Sequence, residues 1–331
     1  MVKLKPSAPV LPRTEAPFIS KNDKALQIYL DILISVVPLI IWGIICFGFR
    51  SLLNVFVAAV VAGEIGFGVS FITKKRIFPT DLRSVVIGVL FALCMPSSLQ
   101  IQWVALGAAI AEAVHLICAK YLPVYLDPVC TAVIAIRLLV SNIPSYVKPL
   151  IIEEESETGS QGLTKYALDV FYTDELPKDS FFDLILGRCA GPIGTVSVAL
   201  IIICAIYLWY KRVINLKITG IFLGAAAIAA VLLPVGLDRT KSMFFELFAG
   251  AIFFGAVYLA TDYFHVPFTD LGKSYYAAIA GALSVLIRLV FTRVDAVFPA
   301  ILIAGLIVYP IDAFTRPKIG KKRKKAKQTD K

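Results

Sequence analysis

Six ionisable side chains stand inside long apolar runs of this 331-residue chain: Glu64, Glu112, His115, Arg137, Arg288 and Asp312. At the centre of a bilayer a charged side chain costs roughly 2.5–3.5 kcal/mol by insertion measurements, so such a residue is kept for a partner or a task. Glu112 and His115 are three residues apart and share one helical face. A carboxylate beside an imidazole can carry a proton or hold a cation. The same pair can also be a buried structural contact, bonded to backbone or to Arg137. Glu64, Glu112 and His115 are the candidate residues of an ion path. Arg288 and Asp312 lie near the ends of their runs, where snorkelling to the interface is the simpler expectation.

Two further segments could hold a ligand. Gly187-Arg188-Cys189-Ala190-Gly191-Pro192-Ile193-Gly194-Thr195-Val196-Ser197 is rich in small residues and opens an apolar run at 189. Glycines let backbone approach a ligand, and free N–H groups at a helix start attract an anion such as phosphate. A tight helix crossing accounts for the glycines equally well. The second segment, 260–273, contains Thr261, Asp262, His265, Thr269, Asp270 and Lys273 in one polar turn between apolar runs. No HExxH, Walker A, GxSxG or zinc-ligand spacing occurs.

The elements that must position these residues follow from composition. The chain is 58% apolar and 17% charged. Soluble domains average about 45–50% and about 25%. One water-soluble core cannot bury such an excess, so an ordinary cytosolic enzyme, a disordered chain and a disulfide scaffold are all excluded. The expected fold class is all-α, a polytopic membrane protein with about ten transmembrane helices in two five-helix halves. Runs compatible with spanning lie at 26–49, 51–72, 84–98, 101–119, 129–145, 189–210, 216–234, 244–261, 274–291 and 296–314. The third is short, and Pro96 marks it as a possible half-helix.

With the N-terminus inside, the inner segments hold 23 Lys and Arg and the outer ones eight. That split favours both termini in the cytoplasm and an even helix number. The divisions are then a cytoplasmic segment 1–25, a first membrane half 26–145, an external acidic loop 146–188, a second half 189–314 and a basic cytoplasmic tail 315–331. The tail carries nine Lys and Arg from Arg316 to Lys331 and reads as an anchor to anionic headgroups, not a nucleic-acid arm. The six cysteines show no CxxC and lie in or beside apolar runs, as buried inert thiols do. Thr80-Asp81-Leu82 and Thr269-Asp270-Leu271 each open a small-residue helix, an internal echo compatible with two related halves. Because five is odd, a five-helix repeat would pair the third span with the eighth.

Several motifs together resemble one family, RnfD/NqrB. RnfD is a membrane subunit of the Rnf ion-translocating oxidoreductase complex, and its homologue NqrB serves the sodium-translocating NADH:quinone oxidoreductase. Asp81-Leu82-Arg83-Ser84 through Met95-Pro96 resembles the family's Asp-x-x-Ala…Leu-Pro segment. Gly191-Pro192-Ile193-Gly194-Thr195-Val196-Ser197 resembles its Gly-Ser-Ile-Gly-Glu-Thr-Ser. Ala260-Thr261-Asp262, then Val266-Pro267-Phe268-Thr269 and Gly272, resembles its Ala-Thr-Asp-Pro…Pro-Val-Thr…Gly stretch and is the most specific part. Leu126-Asp127-Pro128 stands where the family has a longer Asn-Pro-Phe-Asn-Pro segment.

The resemblance implies a flavin-carrying subunit of a ferredoxin- or NADH-linked electron-transport complex that couples electron transfer to sodium or proton movement. It implies FMN held covalently, through a phosphoester to the last threonine of a Ser/Thr-Gly-Ala-Thr loop. The counterpart here is Gln161-Gly162-Leu163-Thr164, which keeps the glycine and the threonine, so Thr164 is the expected attachment residue. Gly191, Gly194, Ser197, Thr261 and Asp262 are the expected cofactor-binding residues around it, and a second flavin is a further candidate. The implied partners are the other subunits of a membrane complex and the bilayer, with no nucleic acid. A non-redox transporter or channel for a small solute or vitamin, or a structural scaffold, are the readings from other classes.

Overall fold

The computed structural model describes residues 21–74, 82–120, 126–140, 149–150, 181–233, 239–262, 266–290 and 295–315. The first half holds α1 (Lys21–Phe47), α2 (Phe49–Lys74), α3 (Leu82–Leu93), α4 (Ile101–Lys120) and α5 (Pro128–Leu139). A short α6 (Phe181–Leu186) precedes the second half. There follow α7 (Val198–Tyr210), α8 (Leu216–Leu232), α9 (Arg239–Phe248), α10 (Ile252–Phe254) running into a π-helical turn (Gly255–Leu259), α11 (Asp270–Val290) and α12 (Val297–Thr315). No strand occurs among the described residues. Among the described residues five helices, α1, α2, α4, α11 and α12, are long and apolar enough to cross a membrane, and α3, α5, α7 and α8 are shorter apolar helices.

The pattern of exposure is that of a chain solvated by lipid. Large apolar side chains such as Ile41, Phe56, Ile72, Leu138, Leu232 and Phe314 point outward along the helices. Phe91, Met95, Ile136, Phe222, Phe254 and Phe298 fill the interior. None of the six cysteines is in a disulfide; Cys118 is half-buried and the others are buried, as expected of inert thiols.

Two spans differ from the sequence expectation, and in each the cause is a local break. The run from 189 does not begin as helix. Residues 189–197 are extended or turn-like and buried, and α7 starts only at Val198, capped by Ser197, whose hydroxyl accepts the Leu200 amide at 3.4 Å. The run 244–261 is not one helix either. Gly250, at φ +97, interrupts it between α9 and α10, a backbone region that side-chain-bearing residues avoid. The third run does stop early, as Pro96 suggests: α3 ends at Leu93.

Unwound backbone at membrane depth must find its hydrogen bonds within the protein. The turn after α3 does so through α2: Asn54 donates to the Ser97 carbonyl (3.1 Å) and Arg50 to that of Ser98 (3.3 Å). It also accepts from the 189–197 segment, the Ile193 amide reaching the Met95 carbonyl (3.2 Å) and the Gly194 amide that of Leu93 (2.8 Å).

The neighbours of α1–α5 recur in the second half. α2 packs on α3 and α4, and α4 on α5; likewise α8 packs on the π-turn and α11, and α11 on α12. α3 touches α1 and α5, as the α10–π element touches α7 and α12. The halves meet through counterparts, α1 against α7 and α5 against α12. Asp31, in the early part of α1, accepts from Tyr207 (2.9 Å) and pairs with Lys211 (3.4 Å) at the end of α7, so these two helices are antiparallel. Arg137, in the last turn of α5, pairs with Asp295 just before α12 (2.9 Å), which makes the second pair antiparallel too. In this arrangement α3 corresponds to the α10–π element and not to α11. The Thr-Asp-Leu echo therefore links elements that do not correspond; Thr80 and Asp81 themselves lie outside the described residues.

Candidate functional site

Where the halves meet, five segments leave a cavity of about 260 Å³. Ile28, Tyr29 and Ile32 of α1 form one wall, and Arg83, Val86, Ile87 and Leu90 of α3 another. The start of α5 closes a third side with Asp127, Pro128 and Val129. The second half contributes the Val213–Ile214 turn and then Val257 to Leu259, Thr261 and Asp262. The walls are aliphatic and the polar groups sit at the margins, the layout of a small-molecule site.

Each polar group is fixed by its own element. Asp127 is the N-cap of α5, its Oδ1 accepting the Cys130 amide at 2.9 Å, with Pro128 preset as the first helical residue. Thr261 donates to the Val257 carbonyl one turn back. Tyr258 reaches across to α1, its hydroxyl 3.2 Å from that of Ser35. Arg83 of α3 and Asp262 of the second half form an ion pair over the cavity at 3.4 Å. Arg83 is buried, whereas the Asp262 side chain is 31% exposed.

The expected cofactor residues fall in two places. Thr261 and Asp262 line the cavity. Gly191, Gly194 and Ser197 lie at the opposite end of α7, which at 13 residues is about 20 Å long. There Gly194 serves a close approach: a Cβ on it would stand 2.6 Å from that of Leu93. The amides of Ile193 and Gly194 are committed to the Met95 and Leu93 carbonyls. Thr164 and most of the acidic loop, along with His265, lie outside the described residues.

The ion-path candidates also separate. Glu112 is fully buried between α2, α3 and α4, where the Ser84 hydroxyl donates to its Oε1 at 2.9 Å. His115 is half-buried on the same face. The α2 residue against Glu112 is Gly66, whose Cβ position lies 3.1 Å from Oε1. Glu64 is exposed on another side of α2. Ser84 adjoins Arg83, so Glu112 sits one residue along α3 from the cavity wall.

Arg288 and Asp312 do not snorkel. Arg288 is completely buried and donates to the Glu246 carboxylate (3.0 Å), the Glu246 carbonyl (2.6 Å) and the Ala249 carbonyl (3.4 Å). It thus satisfies the backbone where α9 breaks. Asp312 is 4% exposed and accepts the Phe268 amide at 3.2 Å, tying the 266–269 turn to α12. Sequence reasoning missed Tyr258, hidden in an apolar run, and gave Arg83 and Asp127 no site role. Arg83 entered there only as part of the Asp81-Leu82-Arg83-Ser84 segment.

Broken helices, an antiparallel pairing of two halves and a polar-rimmed cavity between them define a polytopic helical membrane protein built around an internal site. The chain belongs to the NQR2, RnfD, RnfE family, whose model matches residues 13–321. It is 27% identical to the RnfD subunit of the proton-translocating ferredoxin:NAD(+) oxidoreductase complex of Clostridium ljungdahlii, over 94% of this chain and 96% of that one. It is also 27% identical to the RnfD subunit of the Na(+)-translocating ferredoxin:NAD(+) oxidoreductase complex of Acetobacterium woodii, over 92% and 94%. Identity to the NqrB subunit of the Na(+)-translocating NADH-quinone reductase of Chromohalobacter salexigens is 26%, over 83% of this chain and 67% of the relative.

Proposed function

We propose that this chain is the flavin-carrying membrane subunit of an Rnf-type ion-translocating oxidoreductase. The complex links ferredoxin and NAD and couples electron transfer to sodium or proton movement. The observation that carries this reading is the nearly end-to-end match to RnfD relatives of similar length, which are named for that reaction. The chain works with the other subunits and is not catalytic alone. Its basic residues support a place in a prokaryotic cytoplasmic membrane with both termini inside, which puts the cavity toward the cytoplasm and Thr164 outside.

Thr164 is the proposed point of FMN attachment, through a phosphoester to its hydroxyl. The cavity residues fit a second, non-covalent flavin. Ile32, Val86, Ile87 and Leu90 offer aliphatic walls to a flat ring system, and Arg83, Asp127, Thr261 and Asp262 offer charge and hydrogen bonds to its polar edge. A flavin supplies reversible electron transfer when bound; the protein supplies position and field. Arg83, held by Asp262, keeps a positive charge beside the slot and favours an electron-rich group there. Glu112 and His115 are the proposed ion-path residues, and Glu64, on the outward side of α2, stands apart from them.

The test is in-gel fluorescence of the denatured chain, co-expressed with the flavin transferase, with and without Thr164→Ala. Fluorescence in the unaltered chain that vanishes in the variant is expected. Fluorescence that survives the substitution refutes Thr164 as the attachment residue. The broken helices favour one rival, a solute transporter of the same two-half build. A chain that carries no flavin under those conditions supports that rival.

A further inference from the structure

We propose that the basic cleft between the α7–α8 turn and the start of α11 binds the headgroup of an anionic phospholipid. The cleft encloses about 710 Å³. Arg212, Lys217 and Lys273 line it, together with Asn215, and among the described residues no acidic one does. Neighbouring Lys211 is turned to Asp31 at 3.4 Å. Lys273 lies 3.5 Å from Asp270, but that carboxylate is 83% exposed, and a pair so hydrated leaves the lysine charge largely available. Three cations lining one concave surface focus a positive potential that favours an anion there.

The surroundings identify the anion as a lipid headgroup. Ile202, Ile206 and Trp209 follow one face of α7 at helical spacing, and all three are exposed, at 43%, 57% and 55%. An apolar outward face of a membrane helix is where acyl chains lie. This one ends at Trp209 and Tyr210, the residue types that settle at headgroup depth, and Trp209 is itself part of the cleft. Acyl chains lying along α7 would therefore deliver a phosphate to Arg212 and Lys217. Basic pockets between membrane helices hold anionic headgroups by this charge complementarity. The inference is independent of any flavin: among the described residues the cleft meets the cavity only at Ile214 and Thr261.

The experiment is native mass spectrometry of the full-length chain in neutral detergent, titrated with phosphatidylglycerol and with phosphatidylcholine of the same acyl chains. Preferential binding of phosphatidylglycerol is expected. A basic residue close to an anionic lipid contributes roughly a fivefold affinity gain, so Arg212→Gln/Lys217→Gln/Lys273→Gln lowers it about a hundredfold. The charge-preserving variant Arg212→Lys/Lys217→Arg/Lys273→Arg retains it. If the triple neutral variant does not fold, the single ones carry the test, each with about a fivefold loss. Equal binding of the two lipids, as a site for an acidic protein segment would give, overturns the proposal. So does unchanged phosphatidylglycerol affinity in the neutral variants, or its displacement by millimolar inorganic phosphate, which would mark a small-anion site.

Discussion

Glu112 is a carboxylate in a place where a carboxylate is expensive. It is fully buried, and its Oε1 takes the Ser84 hydroxyl. A glutamine there keeps an acceptor for Ser84 and the same volume while removing the charge. If Glu112 belongs to the ion path, Glu112→Gln leaves the fold and electron transfer intact and lowers ion uptake at least tenfold, measured on the same vesicles. Pumping at the unaltered rate would remove Glu112 from the path. The candidacy of Glu112 was legible because an ionisable residue in an apolar run announces its own cost. Its setting was not, because Ser84 and Gly66 are distant in sequence and neither type signals a carboxylate partner. The same holds for Arg288. Its charge was visible, but burial against Glu246, 42 positions away, depends on how α9 and α11 are placed.

At the scale of elements, the interruptions of helices carry the architecture. Pro96 declared the end of α3 because a proline cannot continue a helix. The break at Gly250 left no such mark: the stretch 244–261 is apolar on both sides of it, and glycine is common within membrane helices. Arg288 sustains this break by donating to the Glu246 and Ala249 carbonyls as well as to the Glu246 carboxylate. Arg288→Met should therefore cost about 3–5 kcal/mol, the range for orphaning one partner of a buried pair. Arg288→Met with Glu246→Leu should recover part of that loss. Thermal unfolding in detergent measures both, and a double variant no better than the single one would mean the backbone contacts outweigh the ion pair. The 189–197 segment makes a second test. Gly194→Ala drives a methyl to within 2.6 Å of the Leu93 Cβ. Neither atom sits on a flexible chain end, so a loss of about 1–3 kcal/mol is expected. A stability unchanged by Gly194→Ala would show that the two unwound segments can separate at no cost.

For the whole molecule, the three ion pairs that join the halves are unequal. Arg137 and Asp295 are 2.9 Å apart, with the carboxylate 1% exposed and the guanidinium also 5.6 Å from the Phe298 ring centroid. Arg83 and Asp262 are 3.4 Å apart, and that carboxylate is 31% exposed. Arg137 lies about 13 Å along α5 from the residues that line the cavity. Beside the cavity-lining Ile28 and Ile32, the Asp31–Lys211 pair is 3.4 Å apart with side chains 18% and 42% exposed, so it too is partly hydrated. The halves are thus pinned firmly at one level and lightly at the cavity, the distribution expected of a molecule that opens at the cavity by hinging at the far end. Asp295→Asn should lower stability by about 3–5 kcal/mol. Asp262→Asn, which breaks a partly hydrated pair, should cost no more than about 1 kcal/mol. Access to the cavity should respond in the reverse order. A cysteine placed on the wall by Ile87→Cys, in a Cys118→Ser background, should react several-fold faster with a polar maleimide once Asp262→Asn is added. Adding Asp295→Asn should change that rate little at a temperature where the chain stays folded. If both substitutions speed labelling equally, the halves separate as a whole and the hinge is wrong. If neither does, the Arg83–Asp262 contact does not gate the cavity.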